Sequence, residues 1–123
     1  MATLQHSGQI RSAATFGEAE DAIRRLDGTA HTLVRLERTA ASALTIGGGP
    51  RHFVVELTES PSQRWCAVDP SQGPAAVRLV VDGSPGDYQG YFCLNLEAAL
   101  EAARTFLESD GERSARLIWS MKT

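Results

Sequence analysis

The amino-acid sequence predicts an α+β fold, in which an antiparallel sheet of about six to seven strands has two helices packed on one face. Three observations support this prediction. Two segments carry apolar residues at the spacing of a helix, and the residues between and after them alternate with a period of two, as in strands. Short turn-forming stretches join consecutive strands, which favours antiparallel pairing. A chain of 123 residues is long enough to form one such domain, covering residues 1–123, around its own core.

The first helix is predicted over residues 16–27. Thr15 and Glu18 have the spacing of a capping box, in which each side chain binds a free backbone amide at the start of a helix. Apolar residues follow at helical spacing and a glycine ends the helix: Phe16, Ala19, Ile23, Leu26 and Gly28. Residues 1–12 are polar and have no periodic pattern, which predicts a flexible tail or an edge strand.

Six strands are predicted between the two helices. They cover residues 32–37, 43–46, 51–58 and 63–68, a run with Val77, Leu79 and Val81 in alternation, and residues 88–94. Three glycines at 47–49 and Pro50 separate the second strand from the third. We predict a hairpin turn there, whose glycines take positive φ or admit a close neighbour. Residues 69–74 are expected to form a loop, and residues 82–86 a turn.

The second helix is predicted to begin after Asn95 as its cap, with Glu97 in the first turn. Its apolar stripe consists of Leu96, Ala99, Leu100, Ala103 and Leu107, with Phe106 at the edge of the stripe. Gly111 ends the helix. A last strand over residues 115–121 closes the predicted fold.

Composition and charge bear on the class of protein. The formal net charge is −3, from 12 basic and 15 acidic residues that are interleaved along the chain, which argues against a nucleic-acid-binding protein. No segment approaches the ~18 apolar residues that span a bilayer, and residues 1–12 lack the apolar core of a secretory signal. We therefore expect a cytoplasmic protein. Cys66 and Cys93 lie in apolar runs and are expected to be reduced, buried thiols, since a disulfide would require neighbouring strands.

No group of residues has the spacing of a catalytic, cofactor or metal site. The glycines at 47–49 lead into a strand, so they lack the helix N-terminus that a phosphate-binding loop uses. The three histidines are far apart in the sequence, and neither the paired ligands of a zinc site nor a nucleophile elbow occurs. We predict a protein that is not an enzyme and that holds no cofactor and no metal.

The candidate binding residues are acids on strands or turns and two tyrosines near a turn. Two of the acids could in principle perform acid–base chemistry, and turn formation alone explains several of them. We favour contacts with basic groups of a partner, because tyrosine on a turn beside an acid is typical of interfaces. The predicted partner-binding residues are Glu56, Glu59, Asp69, Asp82, Asp87, Tyr88 and Tyr91.

Five segments are the most distinctive part of the chain: the Ile-Gly-Gly-Gly-Pro run at 46–50, the Phe-Val-Val run at 53–55, the turn at 82–88, the helix at 98–106 and Trp119. Together they resemble the first family of immunity proteins from bacterial polymorphic toxin systems. The likeness extends from residue 44 to the end of the sequence. It implies an α+β fold, in agreement with the elements predicted above.

The resemblance also implies a function. Such a protein binds a cognate secreted toxin and neutralises it by blocking the active site in a one-to-one complex. The toxin is expected to be a nucleic-acid deaminase acting on cytosine. A toxin surface that binds nucleic acid should be basic, so the acids named above would steer association.

Two other functions are compatible with the residues. One is a small-ligand-binding or enzymatic α+β domain that uses a cavity between the sheet and its helices; an apolar pocket ringed by carboxylates would favour it. The other is a secretion-system chaperone, which would bind broadly and weakly. As partners we expect a toxin domain, and neither nucleic acid, a membrane nor a small molecule.

Overall fold

A computed structural model of the chain describes residues 2–6 and 8–122. Within those residues it has two helices, a seven-stranded antiparallel sheet and a separate two-stranded sheet, so the predicted α+β class is confirmed. The helices are α1 (Phe16–Arg24) and α2 (Leu96–Glu108), with short 3₁₀ helices at Pro70–Gln72 and Gly90–Phe92. The strands are β1 (Thr3–His6), β2 (Gln9–Arg11), β3 (Leu33–Thr39), β4 (Ser42–Gly48), β5 (Phe53–Ser60), β6 (Gln63–Val68), β7 (Ala76–Val81), β8 (Ser84–Gln89) and β9 (Ile118–Lys122).

The main sheet has the strand order β2-β1-β3-β4-β5-β6-β9, and β7 pairs only with β8 in the second sheet. The described part of residues 1–12 supplies two strands, and β2 lies at the edge of the main sheet, the second of the two alternatives predicted for this segment. β1 lies inside the sheet against β3, and its Leu4 is buried in the core. A single apolar side chain in a polar segment gave no periodicity from which this could be predicted.

The hydrophobic core lies between one face of the main sheet and the two helices. Residues paired across antiparallel strands share a face, and the register brings Val34, Ile46 and Val55 into one row. All three are buried, as are Leu4, Leu36, Leu44, Leu57 and Ala67 on the same face. The helices cover this face with Ala19, Ala22 and Ile23 from α1 and with Ala99, Ala102, Ala103 and Phe106 from α2.

Both helix starts are capped as predicted. The Thr15 hydroxyl accepts a hydrogen bond from the amide of Glu18, and the Glu18 carboxylate accepts one from the amide of Thr15 at 3.0 Å. The Asn95 side chain accepts a hydrogen bond from the amide of Ala98 at 2.8 Å. α1 ends at Arg24, three residues earlier than predicted, and Asp27 organises the loop that follows.

Asp27 is a stabilising residue of this loop, and its contribution should depend on pH. Its carboxylate accepts hydrogen bonds from the amides of His31 and Thr29, which lower its pKa from 3.8 to about 2. The stabilisation is therefore complete above pH 3.8 and is lost as the pH falls toward about 2. We expect Asp27→Asn to lower the free energy of unfolding in that upper range and to approach the wild type as the pH falls through about 2, as measured by urea denaturation at each pH.

Asp21→Asn, at an exposed position of α1, is the control for the loss of one negative charge. It should not produce a pH-dependent difference of this kind. An Asp27→Asn difference that stays constant across the acid range would contradict the assignment.

The strand predicted at 88–94 is present, but it is displaced to Ser84–Gln89 and shares only its last two residues with the prediction. The five-residue turn predicted before it is wrong. The turn consists of Asp82 and Gly83 alone, with φ of 52° and 77°, and β8 begins directly after it. Two central residues with positive φ form the tight turn that antiparallel strands prefer. Pro85 lies within β8, where it is tolerated because both strands of a two-stranded sheet are edge strands. The chain then enters the 3₁₀ helix Gly90–Phe92 in place of a strand.

Candidate functional site

A cleft of about 540 Å³ lies against the face of the main sheet opposite the helices. Its floor contains the cross-strand row of Thr45, Glu56 and Cys66. One wall is formed by Val81 and Tyr88 of the β7–β8 hairpin and by Phe92. The rim on the opposite side consists of Ser120, Met121 and Lys122 from β9, the last strand of the sheet. The lining is mostly apolar, with charged groups at one end.

Two glycines of β4 allow the β7–β8 hairpin to approach the sheet. A Cβ atom on Gly47 would lie 2.5 Å from Cγ1 of Val81, and one on Gly48 would lie 3.4 Å from Cδ1 of Leu79. Gly48 and the following Gly49 also have positive φ, 98° and 92°. The prediction that these glycines take positive φ or admit a close neighbour is confirmed. They fix one wall of the cleft at van der Waals distance from its floor.

Hydrogen bonds hold the two ends of this wall. At the hairpin turn, the amide of Gly83 donates to the hydroxyl of Thr32 at 2.9 Å. Beyond the hairpin, the amide of Asp69 donates to the carbonyl of Tyr91 at 2.7 Å. Phe53 and Leu94 exchange a pair of backbone hydrogen bonds that attach the following segment to β5. The wall is thus attached to the main sheet on both sides.

Glu56 carries the charge chemistry of the cleft. Its Oε1 atom accepts a hydrogen bond from Nη2 of Arg64 at 2.6 Å, and its Oε2 atom accepts one from Nζ of Lys122 at 3.1 Å. Partial burial by itself would raise the pKa of Glu56, but the hydrogen bonds and positive charges of Lys122 and Arg64 outweigh burial and lower it. The carboxylate is therefore ionised at neutral pH, and we call these three residues the Arg64–Glu56–Lys122 triad.

Both cysteines are free thiols, as predicted. Cys93 is buried, whereas Cys66 is half-buried in the floor of the cleft beside Glu56. Burial raises the pKa of both thiols, and the negative charge of Glu56 raises that of Cys66 further. Neither thiol is thereby activated as a nucleophile.

Two of the predicted partner-binding residues line the cleft itself: Glu56 on the floor and Tyr88 on the wall. Asp82 is at the hairpin turn, beside Leu33 and Arg35 of β3 on the same side of the sheet. Asp69 and Tyr91 adjoin each other through their backbone, and the Asp69 carboxylate caps the 3₁₀ helix Pro70–Gln72.

The other two predicted residues lie elsewhere. Asp87 alternates with Tyr88 along β8, so it lies on the outer face of the hairpin, where it pairs with Arg78 at 3.3 Å. Glu59 pairs at 3.3 Å with Arg113, whose guanidinium stacks over the ring of Trp65 on the helix-covered side of the sheet. The seven residues therefore do not form one surface.

The structure adds Lys122 and Phe92, which line the cleft, and Arg64, which lies outside the lining and joins the site through its ion pair with Glu56. Arg64 and Lys122 are register partners on β6 and β9, so two like charges lie directly opposite each other. Nothing in the local sequence around either residue predicts this pairing. Phe92 falls within the strand predicted at 88–94, but it lies in a 3₁₀ helix and lines the cleft.

Across residues 2–6 and 8–122, no three His, Cys, Asp or Glu side chains come together in a way that could hold a metal ion. Neither of the helices in those ranges has the length and apolar character needed to cross a membrane. The sequence matches none of the known protein-family models, and it has no significant match among the curated proteins. Fold and site together describe an α+β domain with an apolar, partly charged cleft on its uncovered sheet face.

Proposed function

We propose that this chain is an immunity protein, which binds a cognate secreted bacterial toxin and blocks its active site in a stoichiometric complex. The toxin is a nucleic-acid deaminase acting on cytosine. The cleft and the β7–β8 hairpin form the toxin-binding surface. Tyr88 and Phe92 supply the aromatic contacts, a residue class that carries much of the energy of protein interfaces.

The observation that carries this proposal is the meeting of two segments with family resemblance. Residues 46–50 and 53–55 lie in the β4–β5 hairpin, and residues 82–88 lie in the β7–β8 hairpin. They are separate in the sequence, yet Gly47 of the first contacts Val81, which precedes the second. The segments that resemble the immunity family therefore build the floor and the wall of one cleft.

Fewer of the predicted acids are free to contact a basic toxin than the sequence suggested. The carboxylates of Glu56, Glu59 and Asp87 are each in an ion pair within the chain. Within the described residues, Asp82 is the candidate acid with neither an ion pair nor a side-chain hydrogen bond. The net charge of −3 still attracts a basic toxin at long range, whereas local contacts depend on the cleft.

The proposal is tested by co-expressing the chain with the toxic domain encoded by the adjacent gene. We expect a one-to-one complex in which deamination of single-stranded DNA by the toxin is abolished. Toxin activity that persists with a molar excess of this chain would refute the proposal.

Tyr88 and Asp87 provide a matched pair of variants, because they are neighbours on opposite faces of β8. We expect Tyr88→Ala to weaken toxin binding about 30-fold or more, the effect of losing a hot-spot residue of about 2 kcal/mol. Asp87→Ala should bind like the wild type, because the Asp87 side chain faces away from the cleft. Isothermal titration with the purified toxin measures both affinities, and thermal melting verifies that both variants are folded. Weakening by Asp87→Ala alone would place the interface on the outer face of the hairpin.

A second candidate function is the binding of a small molecule in the cleft. Its volume of about 540 Å³ is within the range of about 300–1,000 Å³ that small-molecule sites occupy. The cavity expected for such a ligand was between sheet and helices and ringed by carboxylates, whereas this cleft is on the other face and Glu56 is the one carboxylate in its lining. A metabolite that raises the melting temperature, together with failure to bind the toxin, would favour this function.

A further inference from the structure

We propose that the cleft binds a carboxylate attached to an apolar group and, resting on the function proposed above, that this carboxylate belongs to an Asp or Glu side chain of the toxin. The toxin as a whole would be basic, but the group that enters the cleft would be acidic. The ligand chemistry follows from the charge balance and the lining of the cleft.

The charge balance leaves a surplus positive charge at one end of the cleft. Arg64 and Lys122 face each other across β6 and β9, an arrangement that is unfavourable for like charges. Glu56, on the same face of the sheet, neutralises only one of the two. The triad therefore carries a net charge of about +1 at neutral pH.

Both cations remain accessible to a second anion. The side chain of Arg64 is 52% exposed and that of Lys122 is 48% exposed, whereas that of Glu56 is 29% exposed. Arg64 contacts Glu56 through Nη2, and a guanidinium has further N–H donors that can bind another carboxylate. A carboxylate between Arg64 and Lys122 would relieve the repulsion between them.

The rest of the lining fits an apolar group. Val81, Tyr88 and Phe92 form the wall opposite the β9 rim, and Val54 and Gly47 add apolar surface to the floor. A ligand with its carboxylate at the triad would extend its apolar part toward this wall. The positive charge of the triad together with the apolar lining therefore favours an acidic group with an apolar neighbour over a simple inorganic anion.

The test uses phenylbutyrate and its neutral analogue phenylbutyramide as probes, titrated into the intact chain and followed by NMR chemical-shift changes. We expect phenylbutyrate to bind about threefold to fivefold more tightly than the amide, the effect of a partly exposed ion pair. Arg64→Gln should remove this preference, and Glu56→Gln should increase it, because it removes the competing carboxylate. Arg24→Gln is the matched control: the Arg24 side chain is also 52% exposed and pairs with one glutamate, but it lies on α1.

Equal binding of the acid and the amide by the wild type, or weaker binding of phenylbutyrate by Glu56→Gln, would overturn the inference. The same variants are then titrated with the toxin. If the toxin also binds Glu56→Gln more tightly and Arg64→Gln more weakly than the wild type, the carboxylate belongs to the toxin. If phenylbutyrate follows this order but no toxin binds, the proposed function fails and the site takes a free carboxylic acid. If the toxin binds with equal affinity to all variants, the function stands and the inference falls.

Discussion

Replacement of Gly49 by alanine is expected to lower the free energy of unfolding by about 3 kcal/mol or more. Gly49 has a φ of 92°, a conformation that costs an L-residue about 1–2 kcal/mol by itself. A Cβ atom there would also lie 2.4 Å from the carbonyl oxygen of Leu26 and 2.6 Å from its carbonyl carbon. These are backbone atoms, so the clash can be relieved only by moving the segment that follows α1 away from the β4–β5 turn.

Gly83→Ala separates the two contributions. Gly83 also has positive φ, 77°, but a Cβ atom on it would have no neighbour within 4 Å. This variant should lose only about 1–2 kcal/mol, the conformational part. Urea denaturation of both variants measures the difference. Equal losses would show that the close approach of Leu26 to Gly49 contributes nothing.

Phe106→Ala is expected to lower the free energy of unfolding by about 3–5 kcal/mol. Phe106 is fully buried, and it packs in the core between α2 and the sheet. Truncation removes a large apolar side chain and leaves a cavity that the surrounding residues fill only in part. Urea denaturation provides the measurement, and near-ultraviolet circular dichroism shows whether the core remains ordered.

Leu107→Ala, one residue further along α2, is the control. Leu107 is only partly buried at the margin of the core, so we expect a loss of about 1 kcal/mol. The stripe predicted from the sequence placed Leu107 inside the core and Phe106 at its edge. A larger loss for Leu107→Ala than for Phe106→Ala would support that stripe and contradict the burial of Phe106 in the structure.

The elements predicted correctly are those whose information is local. The capping box of Thr15 and Glu18 and the Asn95 cap require contacts only within one helical turn, and both are present. The predicted bounds of β6 are also correct, because this short run lies between two clear turns. The buried face of α2 in the structure is rotated from the apolar stripe that the sequence predicted, because this helix carries apolar residues on more than one side. The small side chains of Ala99, Ala102 and Ala103 then decide which side approaches the sheet.

The candidate site was predictable only in part, because strand order joins residues that are distant in the sequence. Glu56 and Tyr88 were found from residue type and context, and both line the cleft. Arg64 and Lys122 meet only because β9 returns to pair with β6, which no local pattern specifies. Asp87 and Tyr88 face opposite ways because both belong to β8. The sequence predicted a turn at 82–86 and a strand only from residue 88, so this alternation could not be predicted.

The pairing of β7 with β8 in a sheet of their own has a consequence for which substitutions the fold tolerates. The hairpin makes its strand hydrogen bonds within its own two-stranded sheet, so a substitution at Tyr88 leaves every ladder of the seven-stranded sheet in place. Side chains on this arm can therefore be replaced without changing the hydrogen-bonded scaffold of the main sheet. Val81 and Leu79, which contact the glycines of β4, and the amide of Gly83, which donates to the Thr32 hydroxyl, attach this arm to the rest of the chain.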